Sequence, residues 1–349
     1  MVISSVSAEN LTEFDNHKNV FRFEDRDAGL VAFLAIHNEN LGPGTGGTRA
    51  WYYSIENDAI NDALRLSRAM TYKCALAGVP FGGSKGVIIL NSEGKSKRTL
   101  EAYARAINSL KRITTGLDVG LTNEDVKYMR KFSSNFLGLA QEGRLDTGKM
   151  ASLSTFMGIL ATAERLWGEP SVQGRVFAIK GLGKTGTELA RLIAERGGEI
   201  IAADINKESL SKIQKEIPGI KIVNPSDVMK QEADIYCPCA LNGDLTTDSI
   251  KDLRCKAIVG SANNQLANLS VANEIEKIGI LYAPDYTVNS GGLINVVDEL
   301  EPGGYSKQRV LSKIEKVKDT LHRVFHEADK HRITTAQAAD QLAESAFRK

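Results

Sequence analysis

The chain has little of several things that mark particular classes of protein. Among its 349 residues there are four cysteines, Cys74, Cys237, Cys239 and Cys255, and only Cys237 and Cys239 are close neighbours. A single Cys-Pro-Cys lacks the second pair that a structural zinc site uses, so reduced, buried thiols and no metal are expected. No apolar run approaches the roughly 18 residues of a membrane span. The first twenty residues carry Glu9, Glu13 and Asp15 where a signal or transit peptide would be apolar or free of acid, which places the chain in the cytoplasm as an expectation. Charge of one sign is also missing. Lys+Arg 44 against Asp+Glu 43 leaves a net charge of +1, so electrostatics argues for neither nucleic acid nor a membrane as partner. Small molecules, or other copies of the chain, are the partners that remain.

What is present is an ordinary soluble composition, 42% hydrophobic and 25% charged. The length exceeds the size at which single cores usually stop growing, so two domains with a cleft between them are expected. Helical spacing of Ile60, Ala63, Leu64 and Met70 predicts a helix over 56–70 after Ser54 and Glu56, with Lys73 near its end. A second helix is predicted over 98–111, then a loop from Thr114 to Asp125 that contains Asp118. A third runs from Ser152 to Trp167 and stops at Gly168-Glu169-Pro170.

Beyond that point the rhythm changes. Short apolar strands near 175–180, 199–204, 220–223, 234–238, 256–260 and 280–283 alternate with helical segments, the pattern of a parallel sheet covered on both faces. A long amphipathic helix follows over 306–331 and a shorter one near 334–347. The fold class predicted is α/β in two domains: an N-terminal α/β domain over 1–149 and a Rossmann-like, doubly wound domain over 150–325. Residues 326–349 are expected to pack back on the first.

Gly181-Leu182-Gly183-Lys184-Thr185-Gly186 follows the strand Arg175–Lys180 and opens a helix over Thr187–Arg196, which is the context that gives a glycine-rich turn its meaning. The first glycine permits a tight turn, the second lets backbone approach a pyrophosphate, and the third lets the helix pack on the strand. Asp204 ends the next strand, where a carboxylate accepts from a ribose hydroxyl and repels a 2′-phosphate. NAD is therefore favoured over NADP as cofactor. A phosphate-loop reading of Gly183-Lys184-Thr185 fails, because Ala178 stands where that motif needs its first glycine.

In the front half, Met70-Thr71-Tyr72-Lys73 and Gly82-Gly83-Ser84-Lys85-Gly86 place two lysines twelve residues apart. One leaves a helix and the other sits in a glycine turn before the strand Val87–Leu90, so both ammonium groups can converge on one small anion such as an amino acid or its 2-oxo acid. A lysine shielded from water beside another cation loses its proton more easily, which suits it to donate or accept near working pH.

Taken together, Gly44-Thr45-Gly46-Gly47-Thr48-Arg49, Met70–Lys73, Gly82–Lys85, Asp118-Val119-Gly120, Gly181–Gly186, Gly260–Leu266 and Pro284–Gly292 resemble the glutamate/leucine/phenylalanine/valine dehydrogenase family. The resemblance covers roughly residues 40 to 300 and implies NAD(P)-dependent, reversible oxidative deamination of an L-amino acid by a homo-oligomer, with a dimer the first guess. It implies that Lys73 binds the substrate carboxylate with backbone at Gly46 and Gly47. It further implies that Lys85 polarises the 2-oxo group, that Asp118 moves protons to and from amine and water, and that Asn263 and Asn289 lie near nicotinamide and substrate. Leu121 and Ser84 depart from the family's frequent Thr and Gly. Glutamate-specific members carry a lysine nine residues before the one matching Lys73; here that residue is Leu64, which implies an apolar substrate side chain because a distal carboxylate would be left unpaired. Ala69 and Leu121 are further pocket candidates. Within the apolar branch the likeness favours an aromatic substrate, tryptophan first, with leucine, valine and phenylalanine as alternatives.

Two other readings compete. A 2-hydroxy acid dehydrogenase would need a histidine acid/base, and none of His17, His37, His322, His326 and His331 falls in these segments. A non-catalytic NAD-binding regulator would have no use for Lys73, Lys85 and Asp118 together.

Overall fold

The computed structural model describes residues 1–92, 94–139, 142–240 and 243–348, and the chain separates into two compact units. The first unit comprises Met1–Arg144 with Glu299–Glu301 and the segment from Ala343 onward; the second comprises Leu145–Asp298 and Pro302–Leu342. The C-terminal division thus falls later than the change of pattern suggests, since 326–342 group with the second unit.

In the first unit the strands are β1 (Val2–Ser5), β2 (Asn19–Asp25), β3 (Leu30–Asn38), β4 (Gly44–Thr45), β5 (Thr48–Trp51), β6 (Gly82–Ile89), β7 (Ile113–Gly116) and β8 (Phe136–Leu137). They form a mixed sheet in the order β1-β2-β3-β6-β4-β7-β8, with β5 also paired to β6. The helices are α1 (Glu56–Ala77), α2 (Lys97–Ser109) and α3 (Asn123–Met129). One face of the sheet packs on α1 through Phe33, Ala35, Val87, Ala59, Ile60, Ala63 and Leu64. The other packs on α2 through Leu34, Ile88, Tyr103 and Ile107.

Helix α1 continues past the expected end and stops at Gly78, whose φ of +63° lets its N–H turn back onto Ala75 and Cys74 carbonyls. Lys73 therefore lies about one turn inside the helix. Nor is Gly82–Gly86 a turn: it is the first half of β6. Its glycines serve packing, since a Cβ at Gly83 would lie 2.3 Å from the Ser67 carbonyl and Thr71 amide of α1, and one at Gly86 would lie 2.0 Å from the Tyr103 hydroxyl of α2. Glycine at this density reads as a turn, but here it lets two helices close on one strand.

The chain's end is held within this unit. Phe347 is buried against Tyr72 at 5.3 Å and His37 at 5.9 Å between ring centres, and Tyr72 Oη donates to Glu344 Oε1 at 2.7 Å.

The second unit holds α4 (Thr147–Trp167), β9 (Val176–Lys180), α5 (Lys184–Ala194), β10 (Glu199–Ala203), α6 (Lys207–Glu216), β11 (Lys221–Ile222), β12 (Ile235–Pro238), β13 (Ala257–Ile258), α7 (Ser270–Lys277) and β14 (Leu281–Tyr282). Two short helices, α8 (Asp285–Val288) and α9 (Gly291–Val297), precede α10 (Lys307–His331) and α11 (Thr335–Phe347), whose last turns belong to the first unit. All six strands pair in parallel in the order β11-β10-β9-β12-β13-β14. Numbered from β9, that is 3-2-1-4-5-6, the doubly wound Rossmann order whose switch point lies between β9 and β12. The six strands and the α/β class are those expected from the pattern. Among the described residues no helix is long and apolar enough to cross a membrane, and no cluster of three potential metal ligands occurs.

Candidate active site

The first-unit site is built by a break in the ladder beside β6. Thr45 pairs with Gly83 and Thr48 with Gly86, so Gly46 and Gly47 leave the ladder opposite Ser84 and Lys85. A Cβ on Gly46 would sit 1.8 Å from the Ser84 carbonyl, and one on Gly47 would sit 3.0 Å from Asp118 Cβ. These glycines allow the Asp118 segment to approach β6. Because Val87 packs on α1 and side chains two apart share a strand face, Lys85 points to the α1 side.

There Lys85, only 6% exposed, meets Asp118 with Nζ 2.9 Å from Oδ2. The partner of Lys85 here is a carboxylate. Burial pushes the Asp118 carboxyl upward, but the Lys85 charge and hydrogen bond, with Arg49 and the Val119 amide, outweigh it and hold the group below the usual carboxylate range. Lys73 is half-buried on α1, the helix packed on this same face.

Leu64 does not belong to this site. It is fully buried in the core between α1 and the sheet, and its carbonyl accepts from His17 Nε2 at 3.0 Å. Nine residues are about two and a half helical turns, so Leu64 and Lys73 lie on opposite sides of α1. The inference from Leu64 to an apolar substrate is accordingly withdrawn. Leu121 is likewise core, packed with Leu100 and Val126. Ala69 is half-buried and one turn from Lys73 on its stripe.

In the second unit the glycine turn connects β9 to α5, which begins at Lys184 rather than Thr187 because the motif itself supplies the first helical turn. Gly181 has φ +100°, a Cβ on Gly186 would lie 1.9 Å from the Gly181 carbonyl, and a Cβ on Gly183 would meet nothing within 4 Å among the described residues. Turn, open face and close packing are thus divided among the three glycines as a pyrophosphate at a helix start requires. The Leu182 amide donates to Asp204 Oδ2 at 2.5 Å, and Asp204 Oδ1 accepts from the Asn206 amide at 2.7 Å. Asn206, not Asp204, caps α6. An ionised carboxylate has further acceptor sites, so Asp204 retains capacity for hydroxyls.

Lys184 is turned to Asp146 at the start of α4, with Nζ 2.8 Å from Oδ2. The Thr185 hydroxyl accepts from Ser261 at 2.9 Å, and its carbonyl from Ser152 at 2.8 Å. Asn289, buried, donates from Nδ2 to Asn263 Oδ1 at 2.9 Å and to the Ser261 and Ala262 carbonyls at 3.2 and 3.3 Å; its Oδ1 is buried without a hydrogen-bond partner among the described residues. The open glycine turn, the oriented Asp204 and this orphaned acceptor fit a nicotinamide dinucleotide.

Residues that sequence reasoning passed over complete the first-unit site: Arg49 Nε reaches Asp118 Oδ2 at 3.2 Å and Arg49 Nη1 reaches Asp62 Oδ2 at 2.7 Å. Arg49 was visible in the glycine segment, but nothing in that segment names its partners. The histidines lie elsewhere: His17 and His37 are buried against Ser67 and Thr71, and His322 pairs with Glu164.

Comparison with known proteins gives concordant matches. A model described as the Glu/Leu/Phe/Val dehydrogenase dimerisation domain matches residues 17–135, and one described as glutamate/leucine/phenylalanine/valine dehydrogenase matches 203–348. The glycine turn lies between these ranges and rests on its own geometry. A leucine dehydrogenase of Geobacillus stearothermophilus is 39% identical over 94% of this chain and 90% of its own length. A phenylalanine dehydrogenase of Thermoactinomyces intermedius is 40% identical over 95% and 92%. Among solved structures, L-tryptophan dehydrogenase from Nostoc punctiforme superposes with a TM-score of 0.84 at 36% identity, covering 95% of this chain and 96% of that one.

Proposed function

Since the chain belongs to the Glu/Leu/Phe/Val dehydrogenase family, and is thus an NAD(P)-dependent amino acid dehydrogenase, we propose that it interconverts L-tryptophan with indole-3-pyruvate and ammonia using NAD. The observation that carries the chemistry is the pairing of buried Lys85 with half-buried Asp118 at 2.9 Å. The apolar and aromatic preference rests on the named activities of the relatives, leucine, phenylalanine and tryptophan dehydrogenases, and no longer on Leu64.

In this reading Lys73 holds the substrate carboxylate, with the backbone at Gly46 and Gly47 beside it. Lys85 donates a hydrogen bond to the 2-oxo oxygen, and to the water that attacks the imino carbon. Asp118, kept ionised by its two cations, takes the proton from the amine or the water and returns it. When bound, NAD supplies the hydride acceptor. Gly181, Gly183 and Gly186, with the backbone of Leu182, Lys184 and Thr185, would hold its pyrophosphate; Asp204 would hold the adenosine ribose and repel a 2′-phosphate. Asn263 and Asn289 would face the nicotinamide and substrate, with Asn289 Oδ1 accepting from an amide or ammonium N–H. The lysines belong to the first unit and the glycine turn to the second. We further infer self-association, a dimer first, which light scattering of the purified chain would measure.

A panel of indolepyruvate, phenylpyruvate, 4-methyl-2-oxopentanoate and 2-oxoglutarate with ammonium, read as NADH and NADPH oxidation, tests the proposal. Indolepyruvate with NADH should give the highest kcat/KM. A preference for 2-oxoglutarate would refute the apolar reading, and turnover independent of ammonium would refute deamination.

A further inference from the structure

Asp118 is held from two sides. Lys85 comes from β6 and Arg49 from β5, and both reach the same oxygen, Oδ2, at 2.9 and 3.2 Å. The Arg49 guanidinium then spans to α1, where Asp62 Oδ2 accepts from Nη1 at 2.7 Å. That oxygen also accepts from the Tyr53 hydroxyl at 2.7 Å, while Asp62 Oδ1 accepts from Arg65 at 2.7 Å. The result is a row of alternating sign, Lys85, Asp118, Arg49, Asp62, Arg65. The side chains of Asp118, Arg49 and Asp62 are 23%, 14% and 13% exposed, so the row is shielded from the screening that weakens surface ion pairs.

Strand parity explains why Arg49 can do this. Thr48 turns to the α2 side, where its hydroxyl meets Tyr103 and Thr115 at 2.9 and 2.7 Å, so Arg49 turns to the α1 side with Lys85. A guanidinium presents donors on several edges and can bridge two carboxylates from different elements; an ammonium cannot hold both in fixed geometry. Among the described residues, both cations make their ion pair with Asp118 at Oδ2.

Resting on the reading of Asp118 as the proton-transfer group, we propose that Arg49 is a positioning residue that pins Asp118 Oδ2 and leaves Oδ1 for the reacting proton, while Asp62 sets the share of the Arg49 charge that reaches Asp118. The groups facing Asp118 are Lys85, Arg49 and the Val119 amide; those facing Arg49 beyond it are Asp62 and Tyr53, with Arg65 behind. Burial drives Asp118 toward its neutral form and the two cations oppose this. Without Arg49, Lys85 and the Val119 amide are left to oppose it, whereas without the Asp62 charge the guanidinium acts on Asp118 alone.

The test is the pH dependence of kcat/KM for the 2-oxo acid in Arg49→Gln, Arg49→Lys, Asp62→Asn and Asp118→Asn, with thermal melts to establish folding. Arg49→Gln should move the acid limb up by about one pH unit, so that its deficit shrinks as pH rises, and Asp62→Asn should move the limb down. Arg49→Lys keeps a charge and should hold the limb near its original place with a lower kcat. A pH-independent loss in Arg49→Gln, or limbs moving the same way in Arg49→Gln and Asp62→Asn, overturns the proposal. If Arg49→Gln fails to fold, Asp62→Asn decides: an unmoved or raised limb overturns it. Asp118→Asn separates the two claims. Normal turnover there would sink the reading of Asp118 itself, while an inactive Asp118→Asn beside an unshifted Arg49→Gln would sink only the role given to Arg49.

Discussion

Two alanine substitutions three residues apart should part the fold from the cofactor site. At Gly183 the backbone is at φ −67° and ψ −166°, open to any L-residue, and an added Cβ meets nothing within 4 Å among the described residues. Gly183→Ala should therefore leave stability unchanged, or raise it by about 0.4–1 kcal/mol through the lost entropy of the unfolded chain. The same methyl occupies the open face at which a pyrophosphate must approach backbone, so NADH affinity should fall at least about tenfold, close to 1.4 kcal/mol. At Gly186 the added Cβ would lie 1.9 Å from the Gly181 carbonyl oxygen, a backbone atom that cannot swing aside. Helix α5 must then shift from the turn, at about 1–3 kcal/mol, the usual cost of overpacking. The assays are thermal melting without ligand and NADH fluorescence titration, neither of which needs turnover. Unaltered NADH affinity in Gly183→Ala, with its melting intact, would refute the assignment of this turn.

Three further outcomes follow from the same geometry. Lys73→Ala should raise the KM for the 2-oxo acid far more than it lowers kcat, and an unchanged KM in steady-state kinetics would count against carboxylate binding. Leu64→Ala should destabilise by about 2–5 kcal/mol in a denaturant melt without redirecting substrate preference, and a switch of preference in the oxo-acid panel would restore Leu64 to the site. His37 is held down to about 4 by burial and then by the neighbouring His17, so the folded state resists a proton that the unfolded chain accepts near 6.5. Stability should fall as pH drops from about 6.5 toward about 4, by up to about 3 kcal/mol, and level off below; a His37→Gln melt with the same acid slope would contradict this.

Much of the architecture is legible in the sequence, for physical reasons that also explain where the sequence misleads. Parallel strands buried on both faces are short continuous apolar runs, so β9 to β14 were visible, and the turn after β9 was visible because its glycines sit at fixed spacing between strand and helix. Asp118 and Lys85 were both expected at the site, and the structure brings them together. Leu64 failed because matching by sequence distance ignored helical phase. Gly82–Gly86 reads as a turn because glycine's usual work is to bend backbone, and its use as a gap for two helices shows only when their positions are known. The Arg49–Asp62 link depends on strand parity and on which helix covers that face. The His17–His37 pair, at 4.9 Å between ring centres, is of the same kind: residues twenty apart joined by an antiparallel register that no local pattern reveals.

The most direct measurement is turnover of Lys85→Ala with indolepyruvate, ammonium and NADH, beside its NADH dissociation constant in the same preparation. Turnover should fall by about 10²–10⁴ or more, with NADH binding within a factor of two of the unsubstituted chain. Turnover within a few-fold of normal would contradict the assignment of the chemistry to this buried lysine and its carboxylate.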